Sequence, residues 1–204
     1  MAIINNFTHK AKDENHIYQV SGLTTSIEIG ALSYLGLSTI YDYSDTLPPN
    51  SEPGKISIAK ATSIGENVSF VLFGNHNYKK ITTSPLSPLI NLNQSIPLPP
   101  YPAEKILIGN DVWIGNNVTI LSNTVIGDGS IIGANAVVSK NIPPYSVAIG
   151  NPIRIISKRF TEEQITCLLK IEWWNWSLQK IKENASTLIT EDIDYFIKLH
   201  DVKN

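Results

Sequence analysis

Residues 108–143 repeat every six positions, a period that few folds can use. Counting from Ile108, the first slot returns as Ile114, Ile120, Ile126, Ile132 and Val138. The second slot reads Gly109, Gly115, Leu121, Gly127, Gly133 and Ser139, and the fifth Val112, Val118, Thr124, Ser130, Ala136 and Ile142. Against a background of 42% hydrophobic residues, six apolar residues at one phase arise by chance about once in 200 trials. An amphipathic helix returns its apolar face every 3.6 residues and a half-buried strand every two, so neither fits. A coiled β-solenoid does: each hexapeptide is one short flat strand plus a turn, with the branched residue inward. The glycine after it is expected to allow a tight corner at positive φ.

The rhythm appears twice more, at Ile58, Ile64 and Phe70 and at Ile17, Leu23, Ile29, Leu35 and Tyr41. Each inward aliphatic is worth roughly 1.5–3 kcal/mol when fully buried. Coils touch only their neighbours, so several are needed and the ends need covering. The reading is a polar N-terminal segment (1–16) lying across the first coil, a solenoid domain (17–157) and C-terminal helices (158–204). A connector, TLPPNSEPG (46–54), leaves the coil. Residues 77–104 abandon the period, carry six prolines including Pro85 and Pro102, and read as a loop excursion. In the C-terminal part, Thr161 and Gln164 form a capping box ahead of Ile165, Leu168 and Leu169. These helices are expected to cap the open end or to pack on a neighbouring subunit.

The balance of 16 basic and 18 acidic residues, with a pI near 6.1, offers no footprint for nucleic acid or an anionic membrane. No run approaches 18 apolar residues, so no membrane span is expected. The one cysteine, Cys167, and an N-terminus without a basic-then-apolar leader predict a cytoplasmic protein.

IGNDVWIGNNVTILSNTVIGDGSIIGANAVVSKNIPPYSVAIGNPIR (108–154) resembles the hexapeptide-repeat acyltransferases. FGNHNYKKITTSP (73–85) is similar to the histidine loop of their xenobiotic acetyltransferase branch, typified by chloramphenicol and streptogramin acetyltransferases. KRFTEEQITCLLKIEWWNWSLQKIKEN (158–184) looks like that branch's helical tail. The resemblance implies an all-β left-handed parallel β-helix, with the extruded loop and an α-helical cap. It also implies acetyl-CoA as co-substrate, direct transfer in a ternary complex, and a homotrimer with active sites between subunits.

Acetyl transfer from a thioester to an alcohol needs a base for the hydroxyl proton, and imidazole is the side chain whose ordinary pKa lies nearest working pH. Of the four histidines only His76 lies in a recognisable motif. It is the expected general base, with Asn75 orienting the ring or the substrate. Trp113, Ala134, Lys140, Asn151, Pro152 and Arg154 are read as one edge that takes CoA. The resemblance implies that the GNP turn there admits pantetheine and that Lys140 and Arg154 meet phosphates. Tyr34, Tyr41, Asp42 and Tyr78 are candidates for the acceptor, as are Tyr43 and Asp45.

Related antibiotic-modifying enzymes usually follow the histidine with an aromatic-rich stretch ending in Tyr-Pro-Phe. Here Asn77 to Leu86 is more polar and more basic, which favours a hydroxyl, ahead of an amine, on a sugar or surface glycan as acceptor. An antibiotic hydroxyl is the alternative, and a non-catalytic β-solenoid scaffold a further one. A zinc hydratase on this fold would need three converging histidines, so no metal is expected.

Overall fold

A computed structural model of the chain describes residues 2–19, 25–44, 47–48, 50–76, 78–84 and 101–200. Leu23, Asp45, Asn77 and the loop prolines from Pro85 to Pro100 lie outside the described residues. Two antiparallel strands come first, β1 (Ala2–His9) and β2 (His16–Gln19). The coils follow as β3 (Ser26–Ile29), β4 (Tyr34–Asp42), β5 (Lys55–Ile58), β6 (Ser63–Ile64) and β7 (Val68–Leu72). After the excursion come β8 (Lys105–Ile108), β9 (Trp113–Ile114), β10 (Thr119–Leu121), β11 (Thr124–Ile126), β12 (Ile131–Ile132) and β13 (Val137–Val138). β14 (Ser146–Ile149) and an antiparallel β15 (Arg154–Lys158) end the sheet.

The parallel strands stack into three walls. Wall A runs from the start of β4 through β6, β9, β12 and β14. Wall B runs from the end of β4 through β7, β10 and β13. Wall C runs through β3, β5, β8 and β11 and is extended by the Ile126–Ile142 bridge. Each turn of the chain visits C, A and B in order, so consecutive hexapeptides occupy consecutive walls. The first-slot residues thus form three buried columns: Ile29–Ile58–Ile108–Ile126, Leu35–Ile64–Ile114–Ile132 and Ile40–Phe70–Ile120–Val138. Fifth-slot residues Val112, Val118, Ser130 and Ala136 fill the corners between them.

The second-slot glycines do not adopt the positive φ expected of them. Positive φ falls two residues after the glycine, on Asp111, Asn117, Gly129 and Asn135, where Asp, Asn and Gly tolerate the left-handed region. The second-slot glycine serves close approach instead. A Cβ on Gly115 would lie 2.7 Å from the backbone nitrogen of Ala134 in the next coil.

The first coil is one residue short at its corner between walls A and B. Leu35 pairs with Ile64, whereas Ile40 rather than Tyr41 pairs with Phe70. A one-residue slip exchanges the faces of a strand. Tyr41 therefore turns outward and Asp42 inward. Ile17 does not join the inward column expected for it: it is 69% exposed on β2, which runs antiparallel to β3. Together with β1 on β4 and β15 on β14, antiparallel strands cover exposed edges of the parallel walls.

The helices α1 (Glu162–Ile171), α2 (Leu178–Glu183), α3 (Ala185–Leu188) and α4 (Ile193–His200) pack beside the coil, along the corner between walls C and A, not over its end. Tyr145, Ile165, Leu168, Ile171 and Phe196 form their core, and Lys60 Nζ donates to Asn175 Oδ1 at 2.9 Å. Arg159 joins the two parts. It donates to the Gly129 carbonyl at 2.7 Å, lies 3.5 Å from Asp111, and spreads over Tyr145 and Phe160. Burial holds the Asp111 carboxyl above the usual carboxylate range even with Arg159 opposite it. The capping box at Thr161 and Gln164 is formed, and Trp176 stacks on Phe196, which makes that tryptophan a packing residue. Among the described residues no helix is long and apolar enough to cross a membrane.

His9, on β1, is 4% exposed and hydrogen-bonds Tyr18 at 2.7 Å, with the His16 ring 5.4 Å away. Burial, then the charges of His16 and Lys12, hold its pKa below the ordinary histidine value. The unfolded chain therefore takes up a proton that folded His9 refuses. His9 contributes stability above the ordinary histidine pKa of about 6.5, and loses that contribution as pH falls below it. Melting curves at fixed protein concentration should show wild type losing its margin over His9→Gln between about pH 8 and pH 5. Parallel curves for the two proteins would contradict this.

Candidate functional site

Wall B ends at Leu72, and the chain turns out of the coil through Phe73, Gly74 and Asn75 to reach His76. Phe73 makes the turn at φ 57° with its ring buried. His76 is exposed, and its Nδ1 lies 2.5 Å from the carbonyl oxygen of Thr83. A carbonyl only accepts, so Nδ1 carries the proton and donates it. In the neutral ring Nε2 then keeps its lone pair toward solvent. Thr83, and not Asn75, is the ring's partner among the described residues. Sequence offers no signal for this, because a backbone carbonyl carries no residue identity.

Tyr34 and Trp113 are 48% and 57% exposed on wall A, in one outward row with Ser63 between them. No motif in the sequence points to Ser63. The coil offsets, 29 residues from the first coil to the second and 50 from the second to the third, are the information that would have found it. Tyr41 faces outward on wall B, and Tyr78 is exposed beyond His76. Asp42 differs from expectation. It is 0% exposed, on the inward phase left by the short corner, with Oδ1 accepting from the Ser44 amide at 2.9 Å. A carboxylate there does not meet a ligand on the wall.

The residues read as one CoA edge do not share an edge. Ala134 lies at the corner between walls A and B, and Asn151 and Pro152 sit in the nearby link that carries β14 into Arg154 of β15. Lys140 occupies the corner between walls B and C, the same corner from which His76 projects. Six residues is one wall, so Ala134 and Lys140 fall on successive corners. One edge is instead built from residues about 18 apart, the offset between the third and fourth coils. Within one chain, then, His76 and Lys140 share a corner, whereas Trp113 and Tyr34 stand on another wall. Among the described residues no group of three or more His, Cys, Asp or Glu side chains is placed to hold a metal ion.

Residues 105–140 match the family model described as bacterial transferase hexapeptide (six repeats). A chloramphenicol acetyltransferase from Klebsiella aerogenes is 35% identical over 184 residues, covering 82% of this chain and 84% of that one. A probable macrolide acetyltransferase from Lysinibacillus sphaericus is 44% identical over 142 residues, 67% of this chain and 78% of that one. A virginiamycin A acetyltransferase from Staphylococcus aureus is 41% identical over a shorter stretch of 56 residues, 28% of this chain and 26% of that one.

Proposed function

We infer that this chain, which belongs to the hexapeptide-repeat xenobiotic acetyltransferases, moves the acetyl group of acetyl-CoA onto a hydroxyl of an antibiotic-type acceptor, with His76 as general base. That the chain is an acyltransferase follows from its relatives; the acceptor and the roles of residues are our reading. The observation that carries it is the ring of His76: Nδ1 is committed to the Thr83 carbonyl, so the exposed Nε2 is the proton acceptor.

In this mechanism Nε2 removes the acceptor's hydroxyl proton as the oxygen attacks the thioester carbonyl. A backbone N–H of a coil turn stabilises the oxyanion of the tetrahedral intermediate. Collapse breaks the C–S bond and expels the CoA thiolate, which recovers the proton from the imidazolium. The neutral ring is thereby restored. Acetylated acceptor and free CoA leave.

The names of the relatives favour an antibiotic hydroxyl. A second reading, a sugar or glycan hydroxyl, is supported by the exposed Tyr78 and Lys80 after His76, a more polar wall than a large apolar antibiotic would use. Thiol release from acetyl-CoA, measured across chloramphenicol, a macrolide, a streptogramin A compound and a set of sugars, separates the two. Turnover with sugars alone overturns the antibiotic assignment. With the best acceptor, His76→Ala should lower kcat by about 10²–10⁴-fold at nearly unchanged acetyl-CoA affinity, and should remove the ascending limb of the pH profile. A variant keeping more than about a third of wild-type kcat would sink the role.

Tyr34 and Trp113 stand on a different wall from His76, so a cleft containing all three needs a neighbouring copy. This supports assembly as a homotrimer with sites between subunits, on a coil whose left hand is implied by the hexapeptide-repeat family. Light scattering should report three times 22.5 kDa, and an active monomer would contradict it.

CoA phosphates would then meet Lys140 and Arg154 from different corners. Each charged contact is worth roughly 1.5–3 kcal/mol, so alanine at either position should raise the KM for acetyl-CoA about tenfold or more. Because they occupy separate corners, the two effects should add. An unchanged KM removes that residue from the groove.

A further inference from the structure

We propose that Glu104 is a positioning residue for His76, so that the last residue of the excursion sets the geometry at its first turn. The proposal rests on the general-base assignment of His76. The excursion opens at Phe73 and closes at Glu104, and its two ends meet. The Phe73 amide donates to Glu104 Oε2. That amide belongs to a residue at φ 57°, a left-handed conformation costly for a bulky side chain and held only where its surroundings impose it.

The surroundings are specific. The Phe73 ring is buried against Gly54, where a Cβ would lie 3.0 Å from Phe73 Cε2 and 2.5 Å from Thr25 Oγ1. The peptide is held on both sides, its N–H by the Glu104 carboxylate and its Leu72 carbonyl by the Tyr43 amide at 3.2 Å. Glu104 is itself fixed, because its carbonyl accepts from the Lys55 amide at 3.0 Å as wall C begins. The arm leading into it is stitched to the connector after the first coil. Tyr101 N donates to Ser51 Oγ at 3.0 Å, Glu52 N to the Tyr101 carbonyl at 3.0 Å, and Ala103 N to Glu52 Oε2 at 3.2 Å.

A continuous set of contacts therefore runs from the coil through 51–55 and 101–104 to Phe73. Only Gly74 and Asn75 separate Phe73 from His76. Without the Glu104 acceptor, the Phe73 ring stays seated but its amide loses its partner, and the turn at φ 57° is held less firmly. The chain beyond it, including the imidazole, shifts with that turn. A misplacement of about 1 Å in a reacting group costs on the order of 10²-fold in rate. Glu104 touches neither acetyl-CoA nor acceptor in this account; it acts through the Phe73 peptide.

The test compares Glu104→Gln with Glu104→Met, two side chains of similar length of which only Gln keeps an acceptor oxygen. Each is made in wild type and in His76→Ala, with kcat, the KM for acetyl-CoA and the melting temperature measured. Glu104→Met should lower kcat about 10–100-fold with the KM for acetyl-CoA within about twofold, and Glu104→Gln should lie within about fivefold of wild type. In the His76→Ala background Glu104→Met should cost no further kcat, because residues acting as one unit are not additive. Equal loss in Gln and Met, Met within about twofold of wild type, or the same fractional loss without His76 would each overturn the proposal. If His76→Ala itself stays active, it is the base assignment that fails. Should Glu104→Met not fold, Glu104→Asp, one methylene too short to reach the amide, carries the same comparison with the same outcomes.

Discussion

Everything in this chain depends on coils stacking with their aliphatic columns in register. A short strand contributes one or two inward residues per wall and buries them only if the coils above and below supply residues at the same point. Register is therefore conserved through each wall while sequence spacing is not. The offset is 29, then 50, then 18 residues, and all the extra chain of the two long offsets leaves at the corner between walls B and C. A corner admits insertions because nothing there interrupts a ladder. The corner inside β4 is different, because that strand runs unbroken from Tyr34 to Asp42, and the single residue missing there before Ile40 exchanges Tyr41 and Asp42 between faces.

The same constraint explains how the proposed site is held. Loops carry chemistry well when a rigid scaffold positions them. Here the connector after the first coil and the return arm of the excursion bind one another and together grip Phe73. The Pro- and Gly-rich connector thus has a role beyond linking coils. It is the footing on which the histidine turn rests.

Stitching between coils is polar where the columns are apolar. Asn110, Asn116 and Asp128 each accept a backbone N–H from the coil beside them, at 3.0, 2.9 and 2.6 Å. These satisfy corner amides that no strand ladder reaches. At the corner between walls C and A the helical unit adds a charged joint. Arg159 offsets part of the cost of burying Asp111, and the aromatic faces of Tyr145 and Phe160 receive the rest of the guanidinium.

The sequence alone determined the coil, because a six-residue return of branched aliphatics has no other use and each strand's burial is local to its hexapeptide. It also determined where His76 leaves the coil, and it determined the capping box at Thr161 and the apolar face of the first helix, both set by residues within a few positions of one another. Only the tertiary structure decided which residues are neighbours. Three hexapeptides make one turn, so Ala134 and Lys140 look adjacent in the repeat but fall on successive corners. Tyr34, Ser63 and Trp113 are far apart in sequence yet stand in one row. The partner of His76, the inward placement of Asp42 and the grip of Glu104 on Phe73 depend on long-range register and on backbone atoms, and a backbone amide or carbonyl leaves no mark in a string of side chains.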